Sequence, residues 1–216
     1  MTVISTDSNC ITSVVETTEA LELTLMDSSK LIYDWNVIDY EITRNPANHP
    51  HGVWFDDETL RDGLQSPSAR NPTIAEKTEL LSYMERLGIQ KVDLGLPGAG
   101  PFHREHINAM LSHIIDNEYE IRPGAAVRTL MQDIEPLVEM QENHGIQIQA
   151  SAFLGTSPIR QYTEGWTMEK LISTMEKAVS YAVENDVPVM FVTEDTTRSN
   201  PEDVKAIYQR AMELGV

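Results

Sequence analysis

The stretch "DDETLRDGLQSPS", residues 56–68, places acidic and basic side chains side by side directly after an apolar run. Because neighbouring residues of a strand point to opposite faces, the adjacent Arg61 and Asp62 can share one cavity only on a turn. Asp62 can supply oxygen to a hard divalent ion, and Arg61 can neutralise a developing enolate or a substrate carboxylate. Such a pair suits chemistry at a carbon next to a carbonyl, with a metal polarising a keto oxygen.

Other apolar stretches along the chain are also followed by polar groups. The candidate residues after the third, fourth and fifth stretches are Arg128, Thr156 and the pair Glu194 and Asp195. Functional loops of parallel α/β folds follow the carboxyl ends of strands, so these side chains are expected on one rim, where Glu194 or Asp195 can move a proton. Each group also has a structural interpretation, as a surface ion pair, a turn or a helix cap.

The elements that must position these residues form a repeating pattern of an apolar stretch, a turn and an amphipathic helix. The apolar stretches are residues 53–55, 91–96, 122–127, 146–154 and 187–193. Helices are predicted over residues 73–88, 167–185 and 200–215, with capping signals at Thr73 and Asn200. Strand-then-helix repetition implies a parallel sheet, and five units fit either an open sheet or the first part of an eight-unit barrel.

Composition limits the functions that the chain can have. A net charge of −18 disfavours nucleic acid and anionic membranes as partners. No apolar run approaches the roughly 18 residues that span a bilayer, and the first residues do not resemble a signal peptide, so a cytoplasmic protein is expected. Cys10 is the only cysteine, and no nucleophile motif is present. His103 and His106, three apart on an acidic helix, are expected to be solvated rather than metal-bound.

Four motifs in order give the chain a resemblance to a known family. "DETLRDGLQSP", "VDLGLP", "FLGTSPI" and "FVTEDTTRSNP" resemble the signatures of strands one, two, four and five of the DRE-TIM metallolyase superfamily. Within it, residues 53–216 are most similar to the group of 2-isopropylmalate, homocitrate and citramalate synthases. The resemblance implies a (β/α)8 TIM barrel of which about the first five units are present over residues 51–216. Residues 1–50 would then be an N-terminal extension.

The resemblance also implies an activity and a site. It implies a Claisen-type condensation of acetyl-CoA with a 2-oxo acid in leucine biosynthesis, a divalent metal (Zn, Mn or Mg) and a homodimer. Asp62 would be the metal ligand, and Arg61 and Glu194 the catalytic residues. The substrate-binding residues would be Gln65, Arg128, Thr156 and Asp195.

The sequence departs from the family pattern at three places. Leu64 stands where the synthases usually have Glu, as in the hydroxymethylglutaryl-CoA lyases, and Arg160 replaces the usual His after "TSPI". The His-x-His metal pair of strand seven is absent, because the chain stops before strand six. A lyase of the same superfamily and a non-catalytic fragment therefore stay open as alternatives. The chain alone is expected to bind metal weakly, to self-associate and to show no condensation.

Overall fold

The computed structural model describes residues 31–33 and 54–216, which form a half-barrel of parallel strands covered on one side by helices. The five strands are β1 (Asp56–Asp57), β2 (Lys91–Asp93), β3 (Arg122–Arg128), β4 (Gln149–Gly155) and β5 (Val189–Glu194). They are hydrogen-bonded in chain order and every pair is parallel. The predicted α/β architecture with five units of a TIM-type barrel is confirmed.

Six helices connect or follow these strands in the described part of the chain. They are α1 (Ile74–Leu87), α2 (Pro101–Asp116), α3 (Met131–His144), α4 (Pro158–Glu164), α5 (Met168–Glu184) and α6 (Pro201–Glu213). Short 3₁₀ turns follow three of the strands, at Asp62–Gln65, Pro97–Ala99 and Thr196–Arg198. These turns lie at the carboxyl edge of the sheet, where the candidate residues lie.

The capping residues that the sequence indicates are found at the ends of their helices. Thr73 and Glu76 form a reciprocal capping box at the start of α1, and Gly88 ends it in the left-handed conformation at φ 74°. Asn200 accepts a hydrogen bond from the Glu202 N–H at the start of α6. Each cap satisfies backbone groups that a helix end leaves without partners.

The first apolar run differs from its prediction as a buried strand. Trp54 and Phe55 are 54% and 63% exposed, and the strand begins one residue later, at Asp56. Trp54 lies under the guanidinium of Arg122, with 4.3 Å from the Arg122 Cζ to the ring centroid. Since β1 is an edge strand of this sheet, its apolar residues have no second neighbour to cover them.

Strand register places the candidates Arg128 and Glu194 on one face of the sheet together with a third charged residue, Asp93. Side chains alternate between faces along a strand, and residues paired between strands share a face. The pairs Asp93 with Gly124, Arg128 with Phe153, and Phe153 with Val192 therefore put Asp93, Arg128 and Glu194 on the same face. The opposite face carries buried apolar side chains such as Val127 and Phe191, which pack against the helices.

The predicted N-terminal extension lies almost entirely outside the described residues, so the division at residue 50 stays a prediction. Residues 31–33 are an exception. There the Tyr33 N–H donates to the Arg198 carbonyl oxygen at 2.9 Å, next to the carboxyl end of β5. In the described ranges, no helix has the length and apolar character that crossing a bilayer demands.

Candidate active site

Arg61 lies at the carboxyl end of β1 among three carboxylates. Its Nη2 pairs with Glu58, and its Nη1 lies 3.3 Å from Asp62 Oδ1. Its Nε lies 3.3 Å from Asp93 Oδ2. Although burial lowers it, the charges of Asp93 and Glu58 raise the pKa of Arg61 above its ordinary value. A permanently charged, partly buried guanidinium is thus fixed at the rim, with some of its five N–H donors still available.

Asp93 is the buried partner of this arginine, with a side chain only 1% exposed. Its Oδ1 accepts from the Gly95 and Ala126 N–H groups at 2.9 and 3.3 Å. Its Oδ2 has no hydrogen-bond partner among the described residues and faces Arg61. Burial raises the pKa of Asp93 to about 6, with Glu58 adding to the rise and Gly95 and Arg61 opposing it. A carboxyl group that titrates near neutrality can both hold Arg61 and exchange a proton.

The raised pKa of Asp93 makes stability depend on pH with a definite sign. The carboxyl is neutral in both states at about pH 3 and below, whereas near neutrality its ionisation is penalised only in the folded chain. We expect the unfolding free energy of the wild type, relative to Asp93→Asn, to fall by about 3 kcal/mol as pH rises from about 3 to 7. Urea unfolding at several pH values measures this difference. A difference that stays flat or rises with pH would mean that Arg61 keeps Asp93 ionised.

Arg128, at the carboxyl end of β3, is held by Asp133 on α3. Arg128 Nε and Nη2 donate to the two Asp133 oxygens at 2.7 Å each, and the Arg128 backbone N–H donates at 3.0 Å. The Asp133 side chain is fully buried, while that of Arg128 is 41% exposed. This bidentate pair fixes the direction of the guanidinium, which lines a cavity at the rim.

Gly98 lies against Asp133 and leaves no room for a side chain. A Cβ at this position would overlap both carboxylate oxygens of Asp133. We expect Gly98→Ala to destabilise the chain by about 1–3 kcal/mol and to loosen Arg128. Gly63→Ala is the matched control, because the nearest atom to its added Cβ is 3.7 Å away. The urea concentrations at the unfolding midpoints of the two variants measure this loss of stability. Equal midpoints would show that the Asp133 side chain moves aside without a cost in stability.

Glu194 ends β5 and points into a cavity of about 160 Å³ that Arg128, Phe153 and Trp166 also line. Its Oε2 lies 4.0 Å from Nη2 of Arg160, the residue that replaces the usual histidine. Arg160 packs across Gly155, where an added Cβ would lie 2.9 Å from the Arg160 Nε. A carboxylate beside a cation and an apolar wall can accept a proton from a bound substrate.

The structure brings only some of the predicted site residues together. Arg61 and Glu194 both lie at the carboxyl ends of the strands, but they line separate cavities. Gln65 and Arg61 together line a cavity of about 250 Å³. Asp62 is 65% exposed and lines neither cavity. Arg61 and Asp62 are predicted to meet one cavity at the same rim as Glu194. All three lie at the carboxyl ends of β1 and β5, the two outer strands, and Arg61 lines a cavity in which Asp62 has no part.

Thr156 and Asp195 also lie away from the two cavities, with their polar atoms bonded inside the fold. The Thr156 hydroxyl is fully buried and lies 2.8 Å from that of Ser199. Asp195 adopts the left-handed conformation at φ 58° and accepts from Arg198 Nε at 2.5 Å. Thr156 shapes the loop after β4, and Asp195 shapes the loop after β5. In this structure both residues therefore have the role of turn residues, which is the structural interpretation given above.

Asp62 is the one predicted metal ligand among the described residues. Across residues 31–33 and 54–216, no three His, Cys, Asp or Glu side chains are grouped closely enough to hold an ion. Asp62 offers a hard oxygen ligand, but a single exposed carboxylate next to Arg61 does not define a coordination geometry. The described residues alone do not form a metal site.

Sequence reasoning missed two charged residues that organise this edge. The sequence assigns Asp93 to an apolar strand and to no site. An acidic residue inside "KVDLGL" nevertheless indicates a charged partner nearby, because a buried carboxylate needs one. Asp133 carried no signal, since an acid in the first turn of a helix is ordinary. Its partner Arg128 lies five residues earlier, across a strand-to-helix turn that only the fold defines.

Comparisons with known proteins agree with this geometry. A family model described as HMGL-like matches residues 53–216. The 2-isopropylmalate synthase of Lactococcus lactis subsp. cremoris (strain SK11) is 32% identical over 165 residues, which is 76% of this chain and 31% of that protein. The 2-isopropylmalate synthase of Methanocaldococcus jannaschii is 28% identical over 169 residues, which is 78% of this chain and 31% of the relative. The chain spans about a third of the length of these relatives.

A solved structure with a similar fold is the HMG-CoA lyase from Brucella melitensis. It superposes with a TM-score of 0.56 at 15% identity, covering 76% of this chain and 58% of the lyase. At this identity the likeness concerns the fold alone. It matches the half-barrel described above.

Proposed function

The chain belongs to the HMGL-like family, and from this premise we propose that it forms part of an enzyme that condenses acetyl-CoA with a 2-oxo acid. The reaction is of the Claisen type, as in the 2-isopropylmalate synthases that it resembles. The observation that carries the proposal is the Arg61–Asp93 pair at the carboxyl edge of the sheet, where a buried acid positions a fixed cation. A fixed cation there suits a reaction in which negative charge develops on a carbonyl oxygen.

Arg61 is the group that meets this developing charge. Removing a proton from the methyl group of acetyl-CoA leaves an enolate, whose oxygen can accept hydrogen bonds from the guanidinium. Because Asp93 and Glu58 already orient Arg61, little reorganisation is needed when the charge forms. Asp93 acts here as a positioning residue, since it reaches the substrate only through Arg61.

Glu194 is proposed as the group that moves the proton. It lies on the same face of the sheet as Asp93 and Arg128, and it borders an apolar wall that includes Phe153 and Trp166. A carboxylate that borders both solvent and an apolar wall can exchange a proton with a substrate bound against that wall. Arg160, 4.0 Å away, lies where it can orient the Glu194 carboxylate.

The remaining site roles follow the family resemblance. Asp62 is proposed as one oxygen ligand of a divalent metal, which would supply polarisation of the keto oxygen when bound. Gln65 and Arg128 line cavities and are proposed to contact substrate directly. Thr156 and Asp195 are proposed to shape the substrate loops through Ser199 and Arg198. Cytoplasmic localisation, a homodimer and a place in leucine biosynthesis are likewise proposals that rest on the resemblance.

A carbon–carbon lyase is the second candidate, and one observation favours it. Leu64, which the lyases share, lies in the cavity next to Arg61. The same Arg61–Asp93 pair would stabilise the enolate that leaves when a carbon–carbon bond breaks. A fragment without catalysis is the third candidate.

Incubating the complete gene product with acetyl-CoA, a divalent metal and a series of 2-oxo acids separates these candidates. We expect free CoA to appear only when a 2-oxo acid is present. Cleavage of hydroxymethylglutaryl-CoA without such release would establish the lyase instead. If neither reaction occurs with any of several metals, the chain belongs to a non-catalytic protein.

A further inference from the structure

The cavity that Arg61 and Gln65 line extends away from the sheet, between the first turns of α1 and α2. We call it the basic cavity and define it by Arg61, Asn71, Lys77, His103 and His106. Its lining, as far as the structure describes it, contains no Asp or Glu, whereas the whole chain has a net charge of −18. The basic lining of this cavity is therefore opposite in sign to the net charge of the protein.

Lys77 is the central feature of the basic cavity. Its side chain takes a place on the inner stripe of α1 together with Leu81 and Met84, and the residue is only 4% exposed. The Lys77 ammonium makes no hydrogen bond or ion pair with any described residue. Burial lowers the pKa of Lys77, and no carboxylate in the described ranges offsets that effect. A bound anion would favour the charged form of Lys77 and so oppose the effect of burial.

His106 gives a second, independent observation at the same place. It is 7% exposed, and its Nδ1 has no hydrogen-bond partner among residues 31–33 and 54–216. The ring packs on Phe102 at 4.1 Å between centroids, which fixes its orientation. His106 and Lys77 line the same cavity. Burial lowers the pKa of His106, and the charge of Lys77 lowers it further. Beside a bound anion, the Lys77 ammonium and the His106 ring N–H would both donate hydrogen bonds to it.

The chemistry of the lining decides between an anion and a metal ion. Lys77 and Arg61 would repel a divalent cation, and the described residues lack a group of His, Cys, Asp or Glu that could hold one. Lysine, imidazole and amide N–H groups together match the acceptor oxygens of a phosphate or carboxylate. The volume of about 250 Å³ accommodates such a group with part of the molecule that carries it.

We propose that the basic cavity binds a small oxyanion group through Lys77 and His106, with His103 and Asn71 completing the lining. The cavity shares Arg61 with the proposed catalytic residues, but Glu194 lines a different cavity, and Lys77 and His106 have no part in the proposed condensation. The proposal does not depend on the condensation reaction. It assigns a binding role to the histidines that the sequence suggested were solvated.

Isothermal titration of the complete gene product with inorganic phosphate, and separately with acetate, tests the proposal. We expect Lys77→Met, which keeps the length and apolar stem, to weaken the binding of the preferred anion about 10-fold or more. His106→Gln should weaken it in the same direction. Lys177→Met on the exposed surface of α5 is the matched control and should bind as the wild type does. Tighter phosphate or tighter acetate binding identifies the class of oxyanion, and either result supports the site.

The stability of Lys77→Met provides a readout that does not involve a ligand. In buffer without phosphate or carboxylate, removing the buried charge is expected to raise Tm by about 2–4 °C relative to wild type. Two results would overturn the proposal: binding of neither anion at about 10 mM, or binding that Lys77→Met leaves unchanged. Anion binding that is lost only when Arg61 is replaced would likewise assign the anion to the active site instead.

Discussion

Replacing Arg61 with glutamine is expected to lower kcat of the complete enzyme by about 10²- to 10³-fold, the effect of removing a donor that stabilises an oxyanion. Glutamine keeps hydrogen-bonding capacity but loses the positive charge that faces Asp93 and Glu58. The effect should appear in kcat more than in KM, because the charge on the carbonyl oxygen develops only in the transition state.

Two further variants separate this role from a structural one. Arg61→Lys keeps the charge without the planar fork, so it should recover only part of the lost turnover. Arg104→Gln removes an arginine from α2 that lines neither cavity, and it should behave as the wild type. If Arg61→Gln lowers Tm sharply while the remaining folded enzyme turns over normally, Arg61 only holds the turn after β1 in place.

The second large effect is expected at Glu194, where Glu194→Gln should lower turnover by about 10²-fold or more. Glutamine preserves the shape of the side chain next to Arg160 but cannot take up a proton at the reaction pH. Because the side chain is partly solvated at the rim, the fold should be unaffected.

Exchange of the methyl protons of acetyl-CoA with deuterated water, in the absence of a 2-oxo acid, is the sharper readout for Glu194. We expect this exchange to fall in parallel with turnover. Glu135→Gln on the exposed surface of α3 is the matched control. Normal exchange and turnover in Glu194→Gln would return Glu194 to a structural role at the end of β5.

The fold could be predicted largely from local signals. Capping residues such as Thr73 and Asn200 define helix starts through hydrogen bonds that involve only near neighbours in sequence. The alternation along β5 likewise follows from strand geometry. Phe191 and Thr193 are buried against the helices, while Glu194 lies on the opposite face.

What could not be predicted depends on contacts between distant elements. Helical periodicity predicts Leu87 on the same apolar stripe of α1 as Leu81 and Met84, yet Leu87 is 78% exposed, and the stripe instead contains the buried Lys77. A lysine on a buried stripe contradicts hydrophobic patterning, and such violations tend to mark functional positions.

The candidate site was likewise only partly accessible to sequence reasoning. Motif order gave Arg61, Asp62 and Glu194 through family resemblance, but the partner of Arg61 depends on how β1 pairs with β2. Arg61 and Glu194 line separate cavities and follow β1 and β5, the two outer strands of the described sheet. Strand order is a property of the whole sheet, and no local pattern encodes it.

The proposed condensation forms a carbon–carbon bond between acetyl-CoA and a 2-oxo acid. The most direct measurement is mass spectrometry of the products that the complete gene product forms from ¹³C-labelled acetyl-CoA and each 2-oxo acid in turn. We expect a hydroxy diacid that contains both labelled carbons of the acetyl group, and its disappearance in Arg61→Gln. Label found only in free acetate, or in unchanged acetyl-CoA with every 2-oxo acid and metal tried, would contradict the proposed condensation.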